Sequence, residues 1–281
     1  MAAAVPEVRM RRIAAELKKL RESKRLSAEE VVAAVPSLNL VKLSRYENAR
    51  VQLKPEVVAL LLEYYECDRD LASVLLDTLR DKRRPGWVAS YEQLNPLYTD
   101  LIRLEETAVG HKTYQSAYIP GLLQTRQYAQ AIISSGVLKR ASVEEQVEVR
   151  INRQAVLTRS EAPLSLWAVI HESALTIDVP DGVMRDQLDK LLQFSALPNV
   201  TVQVMPTAAP PHAGMTGAFA LLEFRHRDLD LVLLSGMLSS NWVEEPEHVD
   251  IYRSAFNEIM ATAVDPTKSV DLINEKREQL T

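Results

Sequence analysis

Cysteine is almost absent from the 281 residues: Cys67 stands alone, which excludes an intrachain disulfide framework and any zinc site built on two or more cysteines. Glycine is scarce as well, with eight in the chain, and neither G-x-G-x-x-G nor G-x-x-x-x-G-K-[ST] occurs, so glycine-rich phosphate loops are excluded. Long hydrophobic runs are missing. The longest, Val57 to Leu62, is far too short to cross a bilayer, and the start of the chain has neither a cationic region nor an apolar signal core. Catalytic signatures are missing too: there is no H-E-x-x-H and no G-x-S-x-G elbow, and no histidine stands near Cys67 to activate it. A metal would be sought at His171-Glu172 or around His226, Asp228 and Asp230, but satisfied or exposed histidines are the expectation. No cofactor, no metal and no catalytic residue is expected, and the chain is expected to be a reduced cytoplasmic protein without a membrane span.

What is there is ordinary globular composition, 47% apolar and 25% charged, with an uneven distribution of charge. Residues 1–84 carry 17 Lys and Arg against 13 Asp and Glu, while the remainder carries 16 against 25. The net charge of −5 therefore hides a basic first part, densest over residues 9–54, where 12 basic residues face 5 acidic ones. The split fits either a basic reader joined to an acidic body, since phosphate neutralisation drives nucleic-acid affinity, or simply a solvated basic face, and the pattern of residues has to decide between them. Two domains are expected, residues 1–84 and residues 85–281.

Hydrophobic periodicity predicts five helices in the first part. Met10, Ile13, Ala14, Leu17 and Leu20 repeat at helical spacing. Ser27-Ala-Glu-Glu30 is a capping box opening a second helix with Val31, Val32 and Val35 on one stripe. Pro36-Ser37 ends it, Asn39 caps a third helix from Leu40 to Glu47, Pro55 opens a fourth, and Leu71 to Leu79 supply a fifth. Two short helices joined by a tight turn inside five helices read as a helix-turn-helix domain, whose second helix puts its N-terminal half into the major groove.

Arg25-Leu-Ser-Ala-Glu-Glu-Val31 and Lys42-Leu-Ser-Arg-Tyr-Glu-Asn48 resemble the helix-turn-helix of the Xre/Cro-repressor family. The resemblance implies that Arg45 reads a base, where an Arg fork suits guanine O6 and N7, and that Val41 reads a thymine methyl. It places Lys42, Ser44 and Asn48 beside them, the Asn39 cap and Arg50 on phosphates, and Arg21 with Glu47 in an ion pair tying helix 1 to helix 3. Two departures stand out. The stretch from Ser27 to Glu47 is one residue longer than the usual pattern, with Pro36-Ser37 in place of Leu-Gly. Ala49 occupies a position where the family often has glycine, so Asn48 is expected to take the left-handed C-terminal conformation.

Beyond Pro85 the reading is α+β: helices over Trp87–Val109, through Tyr128 to Ile133, from the Ser142-Val-Glu-Glu145 capping box to about Arg159, and at 183–196, 247–263 and 268–279. Four strands are expected, at 164–170, 200–205, 218–224 and 231–238, forming one four-stranded sheet. Leu122, Leu123, Tyr128 and Phe219 are candidates either for ordinary core or for a small-ligand pocket. Ile119-Pro-Gly-Leu-Leu-Gln-Thr125, Met184-Arg-Asp-Gln-Leu188, Pro198-Asn-Val-Thr-Val-Gln-Val-Met-Pro206, Gly217-Ala-Phe219 and Arg84-Pro-Gly-Trp87 together resemble the actinobacterial WhiJ-like, antitoxin-like Xre regulators. That resemblance implies a transcriptional regulator modulated by a small protein partner encoded nearby, and operator half-sites one turn apart imply a homodimer on double-stranded DNA. Two other functions fit the same residues: a one-component regulator sensing a small molecule in its second domain, and an interaction module that has abandoned DNA.

Overall fold

The computed structural model describes residues 8–80, 96–136, 142–236 and 240–280. The chain divides into two compact units, residues 1–84 and 85–281.

The first unit is all-helical: α1 Val8–Ser23, α2 Ala28–Ala34, α3 Leu40–Glu47, α4 Pro55–Tyr64 and α5 Arg69–Arg80. Each start has a local cause. At α2, Ser27 Oγ accepts from Glu30 N at 3.2 Å while the Glu30 carboxylate accepts from Ser27 N at 2.8 Å. At α3, Asn39 Oδ1 accepts from Lys42 N at 2.8 Å, and α4 begins at Pro55, whose missing N–H costs nothing there. All five helices bury apolar side chains, among them Ile13, Val31, Leu43, Val58 and Leu75.

The ends of the helices explain how a unit without glycine closes its turns. Arg50 N donates to Arg45 O at 2.8 Å and Ala49 N to Tyr46 O at 3.1 Å, the paired bonds of a Schellman ending. The same pattern ends α1, with Leu26 N on Arg21 O, and α4, with Cys67 N on Leu62 O. The left-handed residues are Arg25, Ala49 and Glu66, with φ of 56°, 50° and 51°. Asn48, expected to be left-handed, is not: it has φ −110° and ψ 12°. Its amide donates to Ser44 O from both the backbone and Nδ2, which keeps it on the helix and passes the reversal to Ala49.

The second unit is α+β. Its helices are α6 Pro96–Thr107, α7 Arg126–Ser134, α8 Val143–Asn152, α9 Val183–Ser195, α10 Pro246–Thr262 and α11 Pro266–Glu278. Its strands are β1 Gly110–Gln115, β2 Ser165–His171, β3 Val200–Met205, β4 Phe219–Glu223, β5 Leu231–Ser235 and β6 Ser240–Val243. They form one mixed sheet in the order β3-β2-β1-β4-β5-β6, parallel from β3 to β1 and antiparallel from β1 to β6. Six strands replace the four expected from sequence. β1, Gly-His-Lys-Thr-Tyr-Gln, has no apolar alternation, yet it sits at the centre of the sheet. Its polar groups find distant partners: Thr113 Oγ1 donates to Phe219 O at 3.0 Å, and Lys112 Nζ meets Glu223 Oε1 at 2.9 Å. β6 is a four-residue edge strand, below the length at which alternation can be read. The helix expected over 87–109 is α6, and its first part, with the Arg84-Pro-Gly-Trp87 motif, lies outside the described residues. So do residues 237–239 at the end of the strand expected over 231–238.

One face of the sheet packs against α10. Tyr114, Val169, Met205, Phe219, Leu221 and Val232 meet Val249, Phe256 and Ile259, with the Phe219 and Phe256 rings edge-on at 6.3 Å and 83°. Phe219 belongs to this cluster, which contains neither Leu122, Leu123 nor Tyr128. All four side chains are buried core.

The Ile119–Thr125 motif is an irregular buried loop, so its backbone depends on side chains for hydrogen bonds. Gln124 Nε2 donates to Ile119 O at 2.7 Å, Gln187 Nε2 to Leu123 O at 2.7 Å, and Gln154 Nε2 and Lys190 Nζ both to Gln124 O, at 2.7 and 2.9 Å. Burial holds the Lys190 ammonium below the ordinary lysine value. Beside this loop the Glu105 carboxylate is fully buried and bound by Arg153, at 2.6 Å through Nε, and His111, at 3.2 Å.

Candidate nucleic-acid interface

α3 is short, and its two sides differ completely. Leu43 and Tyr46 turn inward and are each 1% exposed. Val41, Ser44, Arg45 and Asn48 recur at i, i+3, i+4 and i+7, lie on the opposite side, and are exposed. Val41 is 62% exposed, whereas the other described valines of the unit are buried or half-buried. Seven residues of helical rise put about 10 Å between Val41 and Asn48, about three base-pair steps. Among the described residues the Arg45 guanidinium has no ion pair and no hydrogen bond. An exposed arginine fork with no partner of its own is free to meet a base edge.

The other candidates have structural duties that narrow what they offer. The Asn39 side chain is taken up by the first turn of α3. Lys42 Nζ donates to Ser37 O at 2.7 Å, so its ammonium braces the lengthened turn instead of standing free. Within that turn Leu38 N donates to Val35 O at 2.9 Å and Leu38 is 7% exposed, so a buried leucine anchors the turn. Asn48 uses Nδ2 to close the helix on Ser44 O at 2.7 Å. Arg50 is exposed just beyond α3, with its backbone amide committed to the Schellman ending. Leu40, an apolar residue at the first position of α3, is 45% exposed beside Val41.

α3 is fastened to α1 by Arg21 and Glu47. Arg21 Nε meets Glu47 Oε1 at 2.6 Å and Nη2 meets Oε2 at 3.0 Å, a bidentate fork, while Nη1 donates to Leu26 O at 3.0 Å. The two side chains are 15% and 7% exposed. The Glu47 hydrogen bond holds the guanidinium above its ordinary value, and burial together with the Glu47 charge pushes the nearby Tyr65 phenol up. Tyr46 adds a second fastening, its hydroxyl accepting from Lys54 N at 3.3 Å ahead of α4.

Residues 12–75 match a helix-turn-helix domain family, and residues 98–275, well over half of the chain, match a family described as a domain of unknown function, DUF5753. The chain belongs to the DUF5753 family. No curated protein matches it significantly. The helix-turn-helix domain ahead of it places this DUF5753 chain among the DNA-binding regulators. Among the described residues no helix is long and apolar enough to cross a membrane, and no group of three His, Cys, Asp or Glu side chains is placed to hold a metal ion. Asp230, near His226, instead accepts from Phe224 N at 2.7 Å and pairs with Arg253.

Proposed function

We propose that the chain is a sequence-specific, non-enzymatic transcriptional regulator. Residues 1–84 read an operator, and residues 85–281 receive the regulatory signal and bring two copies together. The observation that carries the reading is the outward face of α3: an exposed Val41 and an unpartnered Arg45, one helical turn apart, on the most basic part of the chain. Val41 meets a thymine methyl and Arg45 a guanine edge, while Ser44 and Asn48 Oδ1 complete the contact face and Arg50 meets a phosphate. Asn39 and Lys42 act behind that face, one capping the reading helix and the other bracing the turn before it.

Similarity to the WhiJ-like, antitoxin-like regulators supports a small protein as the source of the signal, and the excess of acidic residues in the second unit favours a basic surface on that partner. Fluorescence anisotropy on the chain's own upstream DNA tests the reading. Arg45→Ala is expected to lose about 1–3 kcal/mol on specific DNA and little on scrambled DNA, across a salt series. Equal losses on both sequences would reduce Arg45 to a phosphate contact, and absence of binding by the folded wild-type chain would refute the operator reading.

A further inference from the structure

The second unit is acidic, with 25 Asp and Glu against 16 Lys and Arg beyond residue 84, yet one place in it gathers positive charge. Arg150 at the end of α8, Arg153 just after it and Lys190 on α9 converge on the Ile119–Thr125 loop. Both arginines lie against Gly121, where a side-chain carbon would stand 3.6 Å from Arg150 Nε and 3.8 Å from Arg153 Nη1. Arg150 Nη1 donates to Gln124 Oε1 at 3.0 Å, while Lys190 Nζ donates to Gln124 O at 2.9 Å and to Gln154 Oε1 at 2.7 Å. The counter-charges do not balance. Glu105 is already taken by Arg153, through Nε at 2.6 Å and Nη2 at 3.0 Å, and by His111 at 3.2 Å. Among the described residues Arg150 and Lys190 form no ion pair. Each is half-buried and so keeps some surface in contact with solvent.

Bracing the loop does not require these charges. Gln187 serves Leu123 O at 2.7 Å and Gln154 serves Gly121 O at 3.2 Å, both with neutral amides. A cation drawn partly out of water without a counter-charge raises the free energy of the fold, so two of them resting on one glutamine mark a place that an anion completes. Tyr98 feels the same excess. Its hydroxyl accepts from Arg153 Nη1 at 3.0 Å; burial would push the phenol up, yet the Arg153 and Arg150 guanidiniums hold it below its ordinary value. We propose that Arg150 and Lys190 bind the phosphate group of a small molecule beside the Ile119–Thr125 loop. Two uncompensated charges match a dianion, the Arg150 fork suits two phosphate oxygens, and the Lys190 ammonium supplies a point charge. The bound group ties α8 and α9 to the loop.

Thermal unfolding of the full chain without DNA, with inorganic phosphate as the probe, tests this, and its outcome is separate from that of the operator reading. Tryptophan fluorescence follows the second unit alone, because Trp87, Trp167 and Trp242 all lie beyond residue 84. Phosphate is expected to raise the melting temperature saturably, by about 3–6 °C at roughly ten times its dissociation constant, and chloride at equal ionic strength is expected not to. Lys190→Gln keeps a donor for Gln124 O and removes the charge. Without phosphate it is expected to melt no lower than the wild type, and in phosphate the rise is expected to vanish, as it is in Arg150→Gln. In an ultraviolet pH titration the earliest tyrosine to ionise, missing from Tyr98→Phe, is expected to move to higher pH when phosphate is bound. No rise in the wild type, an equal rise in chloride, a rise that survives both substitutions, or a Lys190→Gln variant that melts well below the wild type without phosphate each overturns the proposal.

Discussion

Removing Glu47 tests the claim that one ion pair holds the reading helix in place. Glu47→Ala takes both acceptors from the Arg21 fork, one at 2.6 Å and one at 3.0 Å. Each is a charge-assisted bond worth about 1.5–3 kcal/mol, and a guanidinium left buried without its carboxylate adds a desolvation cost. Three features reduce the total: Arg21 keeps its bond to Leu26 O, Glu22 Oε1 stays 3.5 Å from Nη2, and the side chain is 15% exposed, so water returns to part of it. The expected loss is about 2–3 kcal/mol for the helical unit, equivalent to a fall in melting temperature of at least ~8 °C for a unit of this size. Far-UV circular dichroism of the full chain at neutral pH measures it, and an Arg21→Ala, Glu47→Ala cycle isolates the pair. The double variant is expected to lose much less than the sum of the single ones. A shift below ~3 °C for Glu47→Ala would refute the reasoning and reduce the pair to an ordinary surface contact.

Three further outcomes follow from particular residues. Glu66→Gly is expected to stabilise the helical unit by about 0.5–1 kcal/mol, because glycine removes the left-handed penalty and the exposed Lys24 pair that is lost contributes little; a lower melting temperature would contradict this. Gly214→Ala is expected to destabilise the second unit by about 1–3 kcal/mol, since its Cβ would meet the Tyr114 ring at 2.6 Å, and urea unfolding followed by tryptophan fluorescence measures the change. Glu172 accepts from Thr207 N and meets Lys276 at 2.9 Å, and these contacts hold its carboxyl below the ordinary 4.5. Its contribution is therefore complete above pH 4.5 and lost as pH falls through the depressed value, so Glu172→Gln is expected to flatten the acid limb of the stability profile; an unchanged limb would refute it.

The helical unit was legible because its signals are local. Capping boxes, an Asn cap and a proline at the first helical position act within a few residues, and the burial of Val31, Leu43 and Val58 follows from the apolar spacing within each one's own helix. The outward face of α3 was legible for the same reason: once Leu43 and Tyr46 turn inward, Val41 and Arg45 have only the other side. The left-handed residue was misplaced by one position. Asn is the better left-handed former, but the Asn48 side chain had a nearer partner in Ser44 O, a competition between neighbours that sequence does not weigh.

In the second unit, apolar runs announced β2 to β5, and β1 and β6 escaped. β1 is buried at the centre of the sheet, where its composition forecasts a loop, because its hydroxyl and ammonium are satisfied by Phe219 and Glu223, more than a hundred positions away. The same holds for the Ile119–Thr125 loop, which survives burial through Gln154, Gln187 and Lys190 from later helices. By itself the sequence determined the basic reading unit, its caps and its exposed arginine, all matters of short-range hydrogen bonding and periodic burial. Which polar residues became core and how β1 came to lie between β2 and β4 were decided only by tertiary structure, because those partners meet only after distant segments have been packed together.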